Sequence, residues 1–199
     1  MARPAGRPVQ SDAQKAAFRD RVGAEALRLY MAEGLEALSI RRLAREVGCS
    51  PATIYAHFTG KPDILRFLWG FVLDEVAGQV RAEQGGLRAA AVCFTRYWLD
   101  HPERFRLVFM SSGVVRADVA EFVGDPRVAG YFGLFRGLLR RTAHDPDGLS
   151  DTEVAIRADT LVAGLIGIAL CHLTIADHDW PEVEEMVDRL LRGAGTGMV

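Results

Sequence analysis

Two short segments, residues 39–47 and residues 50–58, meet at a glycine and constrain this fold more than any other stretch. Ser39 is placed to cap the first segment as a helix through its hydroxyl. Gly48 supplies the left-handed residue that ends this helix. The apolar residues between them recur at the three- and four-residue spacing of one helix face: Ile40, Leu43, Ala44 and Val47. The first segment is therefore predicted to be a short amphipathic helix.

The second segment carries its own helix-start signals. Ser50 can cap it, and Pro51 occupies the first helical position, where a missing N–H does no harm. The small side chain of Ala44 allows two helices to cross closely through such a short turn. The pattern predicts a helix-turn-helix, whose second helix is presented to a DNA major groove. We therefore expect a DNA-binding regulator.

Charge is distributed unevenly along the 199 residues, of which 49% are hydrophobic. This length suits one or two compact domains with a sizeable core. The formal net charge of -2 argues by itself against a nucleic-acid binder. However, residues 1–61 contain ten Lys/Arg and six Asp/Glu, whereas residues 62–199 contain fourteen and twenty. A basic head on an acidic body fits a protein whose first part alone meets phosphates.

Targeting and cysteine patterns favour a cytoplasmic protein. The chain begins without the apolar run of a secretory signal. The longest apolar stretch, residues 161–176, contains His172 and is short for a membrane span. Cys49, Cys93 and Cys171 lack paired-ligand spacing, which fits reduced thiols better than disulfides or zinc. We expect no metal, no cofactor and no membrane partner.

Glycine and proline breaks predict three regions and an all-α fold without strands or internal repeats. We expect a flexible basic arm at 1–11, a helix-turn-helix domain at 12–60 and a helical-bundle domain at 61–199. Ser150 and Glu153 predict a capping box. Outside the helix-turn-helix, helices are expected at 12–33, 61–83, 87–100, 103–110, 127–142, 150–176 and 181–191, with loops within 111–126 and at 145–148.

The first third of the chain resembles the N-terminal domain of the tetracycline-repressor (TetR) family. The resemblance covers about residues 15–65, and its most distinctive segment is Tyr55-x-His57-Phe58 followed by Lys61. Pro62 departs from the acidic or small residue usual at that position. The matching positions are Ala26, Leu29, Tyr30, Gly34, Ser39, Ile40, Leu43, Ala44, Val47, Gly48, Ser50, Thr53, Ile54, Tyr55, His57, Phe58, Lys61 and Leu65.

The resemblance implies a set of contacts with double-stranded operator DNA. Arg41 would reach a base edge, with guanine favoured because its two acceptors match the guanidinium fork. Pro51, Ala52 and Thr53 would touch bases through apolar contact or hydroxyl bonding. The residues that would bind phosphates are Ser39, Tyr55, His57 and Lys61. The expected DNA-binding residues are Ser39, Arg41, Ser50, Pro51, Ala52, Thr53, Tyr55, His57 and Lys61.

Each of these residues has a structural alternative. Tyr55 could be an aromatic that packs between helices, and His57 could be an ordinary surface histidine. Arg41 and its neighbours could simply solvate a helix face. In the N-terminal arm, Arg3 and Arg7 could enter a minor groove or belong to a tail without function.

A short recognition helix supplies little affinity alone, so we expect a homodimer that reads two half-sites about 34–36 Å apart. Small and apolar residues in the last two helices would form its surface, as the resemblance also implies. The alternative is that 161–176 is only the core helix of the monomer. The candidate dimerisation residues are Ala163, Gly164, Gly167, Ile168, Val183, Val187 and Leu190.

The resemblance also implies a ligand pocket for a small-molecule effector in the C-terminal domain. An excess of aromatic residues in the middle helices suits an apolar cavity with few polar groups, although core packing is the default reading. His172 is the candidate polar contact, with Cys171, Tyr97 and Arg96 as possible neighbours; a satisfied core histidine is the alternative. The candidate ligand-binding residues are Phe71, Phe94, Tyr97, Trp98, Phe105, Phe109, Tyr131, Phe135 and His172.

Catalytic motifs are missing from the sequence. It contains no Gly-rich phosphate loop, no His-Glu-x-x-His and no serine elbow. We therefore expect no enzyme and no catalytic residues, but a ligand-responsive regulator, most simply a repressor. The competing hypothesis is a small all-helical enzyme or ligand-binding protein in which the helix-turn-helix is only a packing unit.

Overall fold

The computed structural model describes residues 11–110, 126–142 and 149–193. Apart from Ser11 and Pro126, the expected arm with Arg3 and Arg7 and the expected loops at 111–126 and 145–148 lie outside these residues. Every regular element within them is helical, as predicted. The helices are α1 (Asp12–Glu33), α2 (Ile40–Val47), α3 (Pro51–Tyr55), α4 (Lys61–Ala82), α5 (Gly86–Asp100), α6 (Pro102–Phe105), α7 (Pro126–Thr142), α8 (Asp151–Thr174) and α9 (Val183–Gly193).

Contacts divide the chain into two compact units, Met1–Leu68 and Trp69–Val199, and the boundary falls within α4. Helix α4 begins at Lys61, so Pro62 lies in its first turn, where proline is tolerated.

Capping side chains define the helices of the first unit. The Ser11 hydroxyl accepts from the Gln14 backbone N–H while the Gln14 side chain accepts from the Ser11 N–H, a reciprocal capping box that begins α1. Gly34 ends α1 with a φ of +78°, which a side chain would disfavour. After a 3₁₀ turn at Leu35–Ala37, Ser39 caps α2 through the Arg42 N–H.

The core of the second unit is a cluster of aromatic rings on α5, α6 and α7. Phe94 contacts Trp98 and Phe135 edge to face, with ring centroids 6.2 Å and 5.6 Å apart. Trp98 in turn meets Phe105 at 5.9 Å. All four side chains are fully buried, and edge-to-face geometry adds to the stabilisation that burial supplies.

Two of the expected helices differ in detail. The helix expected over 103–110 is α6 followed by a π turn at Arg106–Met110. At the start of α8, Ser150 caps the Glu153 N–H as predicted. In a capping box the Glu153 carboxylate would accept from the Ser150 backbone N–H. This carboxylate instead accepts from Arg157 at 2.7 Å, so the predicted capping box is formed only in part.

Within the described residues, α8 is long and apolar enough, by length and composition alone, to span a membrane. Core helices of globular proteins share both properties. Leu161, Leu165 and Ala169 of α8 are buried within this chain, as a core helix requires.

Candidate nucleic-acid interface

Apolar contacts fix the geometry of the helix-turn-helix. Leu43, Ala44 and Ile54 are buried where α1, α2 and α3 pack together. Gly48 adopts the left-handed conformation (φ 75°, ψ 40°) and directs the chain into the turn. The Ser50 hydroxyl accepts from the Thr53 N–H at 3.1 Å, so α3 begins at a capped N-terminus. With these faces buried, the opposite face of α3 is left to solvent.

The exposed face of α3 carries the residues expected to meet DNA bases. Pro51 and Ala52 are exposed and Thr53 is half-buried. Tyr55, the last residue of α3, is 58% exposed. Aromatic side chains are often buried in the core of a protein. Tyr55 is not, so its ring and hydroxyl are accessible to a partner. The packing alternative for Tyr55 therefore loses support.

The arginines of α2 differ in how they are engaged. Arg42 forms a two-bond ion pair with Glu33 of α1, and Arg45 lies 3.3 Å from Glu46. Arg41 is exposed, and within the described part of the first unit it forms no ion pair. An uncommitted guanidinium at the start of α2 can donate to a base edge or a phosphate without first breaking a protein contact.

Ion pairs also set the protonation of the acidic residues nearby. The Arg42 hydrogen bond lowers the pKa of Glu33, and the Arg28 hydrogen bond lowers the pKa of Glu25. Both carboxylates are therefore ionised at neutral pH, and they partly offset the positive charge of α2.

Two expected phosphate-binding residues already have protein partners. The Lys61 ammonium donates to the Leu35 carbonyl at 2.8 Å, which leaves further N–H groups for a phosphate. The His57 ring lies against the Phe18 ring at 4.5 Å, and its backbone carbonyl accepts from Arg19. Ser39 is exposed, although its hydroxyl caps α2. The expected DNA-binding residues thus lie in α2 and α3, at the caps and the turn beside them, and at the start of α4.

Sequence reasoning missed Arg19. Its partners are residues 57–67, about forty positions further along the chain, and no local spacing signals the contact. A basic residue on an otherwise amphipathic helix was the only sign available.

Most candidate ligand-binding residues lie in the aromatic core of the second unit. Phe71 and Phe109 are each 38% exposed. The Tyr97 hydroxyl accepts from Arg104 at 2.8 Å, and burial raises the pKa of Tyr97. The buried members are Phe94, Tyr97, Trp98, Phe105, Tyr131 and Phe135.

Among the described side chains of this unit, some polar groups have hydrogen-bond partners and others do not. Within the described residues, the buried His172 Nε2 atom has no hydrogen-bond partner. The His172 ring lies 5.9 Å from the Trp180 ring, whereas its expected neighbour Arg96 pairs with Glu184 at 2.8 Å.

The candidate dimerisation residues separate into buried and accessible sets. Ile168, Val183 and Val187 are buried within the single chain, where they pack as core. A Cβ on Gly164 would lie 2.6 Å from Leu190, so this glycine permits close packing of α8 on α9 within the protomer. Accessible positions on α8 are Ala163, Gly167 and, among the larger side chains, Ile156 and Leu170.

The fold and this surface define a helix-turn-helix protein with a helical second domain. Residues 24–67 match the family model described as bacterial regulatory proteins, tetR family. The chain is 35% identical over 77 residues to the HTH-type transcriptional repressor DrrR1 of Streptomyces coeruleorubidus. That match covers 39% of this chain and 28% of the relative, so it spans little more than a quarter of the relative's length. The first part of the chain is thus similar to the DNA-binding region of tetR-family regulators.

Solved structures share the fold over nearly the whole chain. The putative regulatory protein SCO4313 superimposes with a TM-score of 0.66 at 17% identity, covering 94% of this chain and 98% of that one. A protein of unknown function from Rhodococcus sp. RHA1 gives 0.63 at 21% identity, covering 96% and 98%. The regulator PfmR from Thermus thermophilus gives 0.53 at 22% identity, covering 87% and 98%.

Proposed function

We propose that this protein is a cytoplasmic, homodimeric transcriptional regulator that binds operator DNA through α2 and α3. The observation that carries the proposal is the exposure of Tyr55 on a helix whose other face is buried. Arg41, exposed and without an ion pair in the described first unit, adds an uncommitted charge on the same motif. The match of residues 24–67 to the tetR family model and the similarity to a repressor support the same function.

The roles proposed for the individual residues are those that the resemblance implies. Arg41 reads a base edge, with guanine favoured, while Pro51, Ala52 and Thr53 touch bases from the start of α3. Ser39, Tyr55, His57 and Lys61 bind phosphates, and Ser50 holds α3 at its capped start. Phosphate contacts release counterions, so affinity falls steeply as salt rises.

A second copy of the chain supplies the second half-site. The accessible apolar residues of α8 are Ile156, Ala163 and Leu170, with Ile175 just beyond the helix. Ile156, Ala163 and Leu170 recur every seven residues and so lie on one face of α8, which suits packing against the same face of a partner. The dimer surface is thus proposed on this face, with Gly167 at its centre.

A small molecule bound within the second unit would lower the affinity for DNA, which makes the protein a repressor released by an effector. One buried polar atom without a partner among the described residues, His172 Nε2, is a candidate for a contact with that effector. Such switches typically couple the two sites by about 1–3 kcal/mol, roughly 5- to 150-fold in affinity.

Selection of bound fragments from random-sequence DNA, followed by footprinting, tests the proposal. We expect a sequence with two-fold symmetry, half-sites about one helical turn apart and two protomers per site. The competing hypothesis, an all-helical enzyme or ligand-binding protein, predicts no enriched sequence from a folded protein. A genuine site without two-fold symmetry would contradict the homodimer but leave DNA binding in place.

A further inference from the structure

Arg19 of α1 joins the segment that follows the recognition helix to the rest of the first unit. Its guanidinium donates to the backbone carbonyl of His57, two residues after α3 ends. The same guanidinium lies over the Phe58 ring, 4.2 Å from its centroid, and 5.1 Å from the centroid of Phe67. Phe58 is 1% exposed. One side chain therefore contacts residues on both sides of the turn between α3 and α4.

Asp63 completes this arrangement at the start of α4. One carboxylate oxygen accepts from the Thr59 N–H at 2.9 Å, and the other lies 3.8 Å from Arg19 and 3.9 Å from Arg66. The turn at residues 57–60 is thus held at two points: Arg19 donates to the His57 carbonyl, and Asp63 accepts from the Thr59 N–H. Both bonds involve a charged partner, and such bonds are stronger than bonds between neutral groups.

Gly23 shows how closely α1 approaches the same group. It lies one helical turn after Arg19, and a Cβ at this position would lie 2.4 Å from the Phe67 ring. The Arg19–Gly23 face of α1 is therefore a close-packed contact on Phe58, Phe67 and the turn. The Phe18 ring, which contacts the His57 ring in this turn, comes from α1 as well.

The recognition helix needs such a contact because it is short. Helix α3 has five residues, too few to be stable by its own backbone bonds. Its N-terminal end is held by the Ser50 cap. Beyond its C-terminal end, the His57 carbonyl is held by Arg19. A shift at this end would move Tyr55 and His57, and misplacement of a contact by about 1 Å can remove much of its value.

We propose that Arg19 is a positioning residue for DNA binding, which holds the end of the recognition helix in place and does not itself bind DNA. The inference rests on the proposed function and deepens it. The Arg19 side chain is only one-third exposed, and its guanidinium already contacts a carbonyl, an aromatic ring and a carboxylate. Arg41, by contrast, has no ion pair in the described first unit and is available to DNA.

The test compares Arg19→Gln with Arg21→Gln in the full-length protein. Arg21 lies on the same helix, is exposed, and lies over the Phe18 ring. Its replacement by glutamine removes the same positive charge as Arg19→Gln but no hydrogen bond to the His57 carbonyl. The readouts are the Kd for the selected operator at several salt concentrations, the melting temperature, and the NMR signals of His57 and Thr59. Arg19→Lys is the rescue variant, because lysine can still donate to the carbonyl but cannot lie flat on Phe58.

We expect Arg19→Gln to raise the Kd at least about fivefold more than Arg21→Gln does, within the range for loss of a charged hydrogen bond. The slope of log K against log salt should stay that of the wild type, because no phosphate contact is lost. The His57 and Thr59 signals should move in Arg19→Gln and return towards wild type in Arg19→Lys.

Three results would overturn the inference. Equal affinities of the two glutamine variants would show that Arg19 does not position the helix. A salt slope lower by about one would show a direct phosphate contact. Unchanged His57 and Thr59 signals would show that the turn does not depend on Arg19. If Arg19→Gln does not fold, Arg19→Lys is judged alone: a partial loss of affinity at wild-type slope, with partly shifted His57 and Thr59 signals, supports the inference, and wild-type affinity with wild-type signals overturns it.

The two proposals fail separately. A folded wild-type protein that selects no DNA would contradict the proposed function. The NMR comparison needs no DNA and still decides whether Arg19 holds the turn.

Discussion

The hydroxyl of Ser50 lies 2.9 Å from the hydroxyl of Thr53, and it also accepts from the Thr53 backbone N–H at 3.1 Å. The Thr53 hydroxyl is therefore engaged within α3, and the methyl group is the part of the side chain left for a partner. This contact favours apolar recognition over hydroxyl bonding at Thr53. The methyl group of thymine is the base feature that suits an apolar contact in the major groove.

Matched substitutions at Thr53 test this interpretation. Thr53→Val keeps the methyl group and should bind the operator within about threefold of wild type, whereas Thr53→Ser should bind about fivefold more weakly. Replacement of operator thymines by uracil one at a time should weaken wild type at one position of each half-site and leave Thr53→Ser unaffected there. Fluorescence anisotropy measures both effects. The opposite order of the two variants would assign the contact to the hydroxyl.

Arg41 and Arg42 are neighbours in sequence with different roles. Arg41→Gln should weaken binding to the selected operator about tenfold and relax the preference at one base pair, because a bidentate contact to a base is lost. Arg42 is committed to Glu33, so Arg42→Gln should lower affinity less and leave the base preference intact. Binding to a panel of single-base operator variants separates the two. Equal loss of preference in both variants would contradict the assignment.

Two ion pairs connect α5 with α9 and give the second unit a pH-dependent contribution to stability. Arg88 bonds Asp188 at 2.7 Å and Arg96 bonds Glu184 at 2.8 Å, and these bonds lower the pKa of each carboxyl. A lowered folded-state pKa means that the stabilisation is present above the ordinary carboxyl pKa and is lost as pH falls through the folded value.

The double variant Glu184→Gln/Asp188→Asn should therefore melt below wild type at pH 7, and the difference should shrink as pH falls below the ordinary carboxyl pKa of about 4. Glu185→Gln is the control, because Glu185 pairs with Arg189 within α9 and makes no described contact with α5. Calorimetry between pH 7 and pH 3 gives the melting temperatures. A difference that does not shrink as pH falls below about 4 would show that packing, not charge, is responsible.

The aromatic core predicts unequal effects of two phenylalanine truncations. Phe135 is fully buried against Phe94, so Phe135→Ala should lower the free energy of unfolding by about 3–5 kcal/mol. Phe71 is 38% exposed, and Phe71→Ala should cost much less. Denaturant titration of both variants checks the order. Similar losses would place Phe71 in the core as well.

Local chemistry explains which parts of the fold could be predicted. Ser39, Gly48 and Ser50 are capping residues whose effects act within four positions, and the structure confirms the caps expected for them. The C-terminal end of α1 could be predicted in the same way, because Gly34 ends the helix through its own backbone conformation, whatever the helix packs against. Local rules therefore predicted the helix-turn-helix.

Long-range contacts explain what was missed. The helix expected over 103–110 changes to a π turn after Phe105, where the Leu107 carbonyl accepts from the Trp69 indole at 2.7 Å. Likewise, Val183 and Val187 have the spacing of an apolar surface, and only their burial shows that they pack inside the protomer. Arg19 meets a carbonyl 38 positions away, which no sequence window contains.

The most direct test of the account is binding of wild type and Tyr55→Ala to the DNA upstream of the protein's own gene and to the selected operator, by fluorescence anisotropy at two salt concentrations. Because Tyr55 is exposed, the variant should keep the wild-type melting temperature. We expect tight, cooperative, salt-sensitive binding by wild type and at least about a tenfold loss in Tyr55→Ala. Equal binding by both proteins, or a folded wild-type dimer that binds neither DNA, would contradict the account.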